Sequence, residues 1–104
     1  MPHFSMVIYP NEPDLQFDEE YYMKTHMPLV DQTWKSYGLT SWKVNKYTQA
    51  LDGTPAKFRI AAHLVWENEE AMHKALKDPK SSKVFADIPN FTNVKPITLA
   101  GPDL

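Results

Sequence analysis

The chain has 104 residues, 42% hydrophobic and 23% charged, with a formal net charge of −2. That balance is ordinary for one globular domain over residues 1–104, burying roughly two-thirds of its unfolded surface. Its eleven Lys and Arg form no stripe, no apolar run reaches the length of a membrane span, and cysteine is absent. These features set aside nucleic acid and membranes as partners, and disulfides and thiolate chemistry as devices. The lack of cysteine fits a cytoplasmic protein. The three glycines are isolated, so no Gly-rich loop is present to cradle the phosphates of a nucleotide cofactor.

His3 to Tyr9 alternates as a strand, with Phe4, Met6 and Ile8 on one face and Ser5, Val7 and Tyr9 on the other. Both faces are apolar, so cover is expected on both. After a Pro10–Pro13 loop, Asp18 is an N-cap with Glu19 and Glu20 set for the helix dipole. At 100° per residue, Tyr22, His26, Leu29, Val30, Thr33 and Tyr37 share one side of the helix that follows. Lys24, Asp31, Gln32 and Lys35 share the wet side. Pro28 cannot donate to the carbonyl of Lys24, so it either kinks this helix or opens a second helical segment. Gly38 is the left-handed C-cap.

Leu39 to Gln49 reads as a second strand, with Trp42, Val44 and the stem of Lys46 on one face. A turn over residues 51–56 leads to a third strand, Phe58 to Trp66, with Arg59, Ala61, His63 and Val65 on one of its two faces. Asn68 caps a second helix that Pro79 stops, and Ser81 or Ser82 caps a short turn through Phe85. Asp87 to Asn93 is a loop. Val94 to Ala100 is the last strand, held to an edge or a bulge by Pro96.

The order β-α-β-β-α-β is the ferredoxin-like plan, an α+β fold with two helices on one face of a four-stranded antiparallel sheet. The other face of such a sheet would be bare and apolar, which points to a homodimer packed sheet to sheet. Ligand space is then expected between each sheet and its own helices, beneath His26. A buried imidazole is costly without a partner, so His26 is either a hydrogen-bonded core residue or the floor of a pocket.

The run FDEEYYMKTHMPLV (Phe17 to Val30) resembles the F-D-x-x-Y-Y-x-x-x-H-x-P-L signature of the EthD family, named for ethyl tert-butyl ether degradation. Tyr9-Pro10, Ala62-His63-Leu64 and the stretch from Phe85 to Pro96 add to the resemblance, which covers nearly the whole chain. It implies a dimeric α/β-barrel. It leaves the reaction open, because proteins similar in fold include oxygenases, isomerases, cyclases, dehydratases and members without known activity.

A neutral imidazole in an apolar cavity is a competent general base near neutral pH. It could take a proton beside a carbonyl or from a phenol, the step common to cyclisation, dehydration and isomerisation of an aromatic or polyketide-like molecule. None of these needs a cofactor, and none is expected. Tyr22 or Tyr9 could donate to the developing oxyanion, or Tyr22 is core packing. His63 is a second acid or base if it faces the helices, and an interface residue if it does not. Asp87 either orients an imidazole or caps its own loop. Leu29, Val30, Thr33, Phe85 and Asn90 complete the candidate ligand-binding set with Tyr9. Two imidazoles without H-x-H or H-x-x-x-H spacing make a poor metal site, and no metal is expected. The reading from another class is a non-catalytic protein holding an apolar small molecule for a partner oxygenase.

Overall fold

Four strands, β1 (His3–Pro10), β2 (Leu39–Lys46), β3 (Phe58–Trp66) and β4 (Ile97–Pro102), form one antiparallel sheet in the order β2-β3-β1-β4. The computed structural model describes residues 1–104. Its helices lie on one face of the sheet, which makes this the ferredoxin-like plan of the α+β class. Residues opposed across strands share a face, so register fixes which side chains meet the helices. Tyr9 opposes Ile60, Val7 opposes Ala62 and Ser5 opposes Leu64. On the far side of β3, Trp42 opposes Leu64 and Val44 opposes Ala62. This face is the core side, where Tyr9, Ile60, Ala62, Leu64 and Trp66 are buried.

The other face carries Met6, Ile8, His63, Val65, Ile97 and Leu99, and Ile97 and Leu99 are exposed. β2 ends at Lys46, three residues earlier than expected, because residues 47–57 leave the sheet as an arm. The arm closes on itself through the Gln49–Pro55 bridge and through Asp52, which accepts from the backbone and hydroxyl of Thr54. β4 begins at Ile97, so Pro96 precedes the strand and removes no ladder bond. His3 is buried between its β3 and β4 partners.

The first helix differs from a plain α-helix. Asp18 caps it by accepting from the Tyr21 amide, and one turn, α1 (Glu19–Tyr21), gives way to a π-helical turn over Tyr22–His26. α2 (Met27–Trp34) follows with Pro28 in its first turn, where a missing N–H costs little. The wider π turn shifts the phase of everything after it by about one residue. The buried stripe therefore runs Tyr22, His26, Met27, Val30, Trp34, and Leu29 and Thr33 are only half-buried. Trp34 donates to Ser81 Oγ at 2.7 Å, and Ser81 donates in turn to the carbonyl of Ala75. That chain fixes α2 against α3 (Glu69–Lys77) and α4 (Ser82–Ala86), so the Ser81 side chain serves packing and not the capping role expected of it. Gly38 ends the helix at φ 111°, where a Cβ would lie 2.9 Å from that of Ala71.

Candidate functional site

His26 reaches the core because the π turn carries it there. Its ring is 4% exposed and lies against two aromatic neighbours: Tyr22, stacked at 5.3 Å and 17°, and Phe91, tilted at 4.6 Å. Its Nδ1 lies 2.9 Å from Asp87 Oδ2. A carboxylate can only accept, so Nδ1 carries the proton and the lone pair of neutral His26 is on Nε2. No protein group bonds Nε2. The ring borders a small cavity between the sheet and the helices.

Asp87 is the hub. Its Oδ1 accepts from the Tyr21 hydroxyl at 2.6 Å and from Asn90 Nδ2 at 2.9 Å, while Oδ2 takes His26. Desolvation pushes its pKa up, but bonds from Tyr21, Asn90 and His26 outweigh this and hold it below the ordinary carboxylate value. It is therefore ionised at neutral pH. For His26 the balance runs the other way: burial lowers the imidazole pKa, and Asp87 recovers only part of the loss. The ring stays neutral near pH 7 and is ready to accept a proton, with an anion behind it to steady the imidazolium.

The hub is held in place from outside. The Phe91 carbonyl accepts from the Asp18 amide, Thr92 Oγ1 donates to the Gln16 carbonyl, and Asn93 bonds both the Gln16 amide and the Asp14 carbonyl. These bonds tie the loop after α4 to the segment before α1. Asn93, the last residue of the loop expected over Asp87 to Asn93, is thus a long-range tie. Tyr9, Phe17, Tyr21 and Tyr22 pack around the Phe91 ring at 5.0–6.3 Å. Each such contact contributes about 0.5–1.5 kcal/mol beyond its burial. Burial pushes the Tyr9 and Tyr22 hydroxyls far above the usual phenol range, and the neighbouring Tyr22 phenol raises Tyr9 further. Both stay protonated donors.

His26 lines a cavity of about 30 Å³ with Tyr9, Tyr22, Val30, Trp34, Phe85 and other apolar side chains. Of the candidates named from sequence, the structure brings together His26, Tyr22, Asp87, Tyr9, Val30 and Phe85. Asn90 joins through Asp87 and is otherwise exposed. Leu29 and Thr33 do not line the cavity, displaced by the phase shift of the π turn. His63 lies on the opposite sheet face, because it opposes Met6 and Lys43 and not the core-side residues. Its Nε2 is 3.3 Å from the Tyr47 hydroxyl, so the condition for a second acid or base beside His26 is not met. Tyr21 was missed, though it sits five residues before His26, the spacing that a π turn brings onto one side. No group of three or more His, Cys, Asp or Glu side chains is arranged to hold a metal ion. No helix is long and apolar enough to cross a membrane.

Fold and site together define a ferredoxin-like α+β protein with a carboxylate-paired histidine between its sheet and its helices. The EthD domain family matches residues 12–95, and the chain belongs to that family. An EthD-like protein of Ralstonia eutropha JMP134 superposes with a TM-score of 0.85 at 23% identity, over 96% of this chain and 89% of that one. An ethyl tert-butyl ether degradation family protein of Bacillus halodurans C-125 gives 0.78 at 20% identity, over the whole of both chains. A dimeric ferredoxin-like protein of unknown function from Jannaschia sp. CCS1 gives 0.67 at 11%, over 99% of this chain and all of that one. At these identities the likeness concerns the fold. No match is found among curated proteins.

Proposed function

We propose that the chain is a small cofactor-independent enzyme in which His26 is the general base, acting on an aromatic or polyketide-like molecule by cyclisation, dehydration or isomerisation. The observation that carries this reading is the Nδ1–Asp87 pair at 2.9 Å, which leaves the basic nitrogen Nε2 without a protein partner. His26 Nε2 takes the proton from carbon next to a carbonyl, and the C–H electron pair moves into the enolate. Tyr9 or Tyr22 donates to the enolate oxygen, and Asp87 offsets the imidazolium charge. The imidazolium then returns its proton to a different carbon in an isomerisation, or to a departing hydroxyl in a dehydration. The catalytic residues are His26 and the donating phenol; Asp87, Tyr21 and Asn90 are positioning residues.

Proton exchange tests this without knowledge of the natural substrate. A cyclic 1,3-diketone in D2O should lose its α-proton signal faster with the protein than without it. His26→Ala should remove the acceleration, a loss of about 10²–10⁴-fold for a positioned base. Binding without any acceleration would sink the enzyme reading and favour its alternative, a non-catalytic holder of an apolar molecule for an oxygenase system. The cavity favours that alternative in one respect: beyond His26 and the two phenols its lining is apolar.

The uncovered sheet face supports a homodimer packed sheet to sheet, forming the α/β-barrel. Met6, Ile8, Val65, Ile97 and Leu99 line that face, and a structurally similar protein is described as dimeric. Sedimentation at twice the chain mass, and monomers in Leu99→Glu, are the expected results.

A further inference from the structure

A second apolar space adjoins the histidine cavity. It is a groove of about 200 Å³ between α3, α4 and the β1–β4 edge, lined by Trp34, Trp66, Met72, Leu76, Thr98 and Ala100 among others. Four residues line both spaces: Val7, Trp34, Leu64 and Phe85. Three of these are fixed. Val7 and Leu64 stand within paired strands, and Trp34 is held by its bond to Ser81. Phe85 differs, being 46% exposed on a helix of five residues, with the Trp34 ring 6.1 Å away as its one aromatic neighbour. It is the partition that can turn without breaking a hydrogen bond.

The size of the two spaces limits the ligand. About 30 Å³ beside His26 holds a water-sized group and no ring system. Even with the groove added, the space falls below the roughly 300–1,000 Å³ of sites for drug-sized molecules. A polycyclic body does not fit, whereas a single ring or short alkyl chain does. We infer that the groove is the body subsite of the His26 site and that its ligand is compact: one oxygen-bearing head placed at His26, and one ring or short alkyl arm passing Phe85 into the groove. The lining that the two spaces share, with Phe85 as its one unfixed member, is the argument for this occupant. The inference rests on the reading of His26 as an accessible base, and it adds the size and polarity of the molecule served.

Phenol, 4-ethylphenol and 4-butylphenol titrated into the protein make the test. The readouts are the His26 ring signals and the indole N–H signals of Trp34 and Trp66. Phenol should shift His26. Each added methylene should tighten binding by about fourfold, as burial of a CH2 group implies, and the arm should shift Trp34 and Trp66. Ala100→Trp fills the groove from an exposed strand position without touching His26, and Thr98→Trp does so from a second position. In either variant the ring loses its place, so phenol and its alkyl homologues should all bind more weakly and the methylene increment should be lost. Phe85→Ala should move 4-butylphenol from slow towards fast exchange. A His26 shift with no gain along the series, or a gain that survives both groove-filling variants, overturns this inference and leaves the base intact. If no phenol moves His26 at all, the reading of the base falls and this inference with it.

Discussion

His26 and His63 invite comparison, since each sits in a regular element, each neighbours a tyrosine, and neither is accompanied by metal-ligand spacing. One ends up 4% exposed with an ionised carboxylate on Nδ1, the other on the uncovered sheet face with a hydroxyl at 3.3 Å. The difference lies in what surrounds them. Around His26, Asp87 is itself held by two further donors, Tyr21 and Asn90, and four aromatic rings pack about Phe91 and the histidine. Around His63 the one side-chain partner belongs to the arm that leaves the sheet after Lys46. A buried imidazole is tolerated only where its partner is also satisfied, so a base site is made by its second layer of bonds as much as by the histidine.

The largest effect should come from the ring that organises the His26 side. Phe91 is 3% exposed and touches Tyr9, Phe17, Tyr21, Tyr22 and His26. Phe91→Ala should cost about 3–5 kcal/mol, read as a lower urea midpoint at unchanged slope. Val65→Ala, on the His63 face, is the control, and an equal loss there would erase the contrast. Asp87→Ala comes next. It strips the partner from a buried ring N–H, and about 1–3 kcal/mol is expected for that unsatisfied donor. The His26 pKa should also fall further, because the carboxylate is the group that raises it. An NMR titration reporting a higher His26 pKa in Asp87→Ala would contradict the electrostatic account.

How much of this contrast the sequence carries can be judged residue by residue. The order of strands and helices along the chain, the Asp18 and Asn68 caps and the Gly38 stop follow from local chemistry, and the structure has each of them. The phase of the first helix does not follow. A π turn inserts a residue's worth of rotation that a 100° wheel cannot show, so Leu29 and Thr33 took the places of Met27 and Trp34 in the expected stripe. Asp87 and His26 are 61 positions apart, and the bonds from residues 91–93 to residues 14–18 help to hold them together. Nothing local foretells such ties. The orientation of His63 needed the strand register, which alternation leaves undetermined until one face is assigned to the helices.

Acid should act on the His26 side through the histidine before the carboxylate. The folded-state pKa of His26 lies below its ordinary 6.5, so the unfolded chain binds more protons between those two values. Stability should therefore rise with pH across that window and be flat in His26→Gln, as read from urea midpoints at successive pH values. Asp87, also lowered from its ordinary 3.8, adds a second loss only below that pH. A slope that survives His26→Gln would assign the acid sensitivity to another group.

The smallest change is expected on the other face. Tyr47 is 39% exposed and its bond to His63 is long. Tyr47→Phe removes that bond where water can replace it, so stability should stay within about 0.5 kcal/mol of the parent. His26 ring signals should not move, since the two histidines lie on opposite sides of the sheet. A displaced His26 signal in Tyr47→Phe would mean that the sheet couples its faces. The second layer around Asp87 would then not be enough to fix the state of the base.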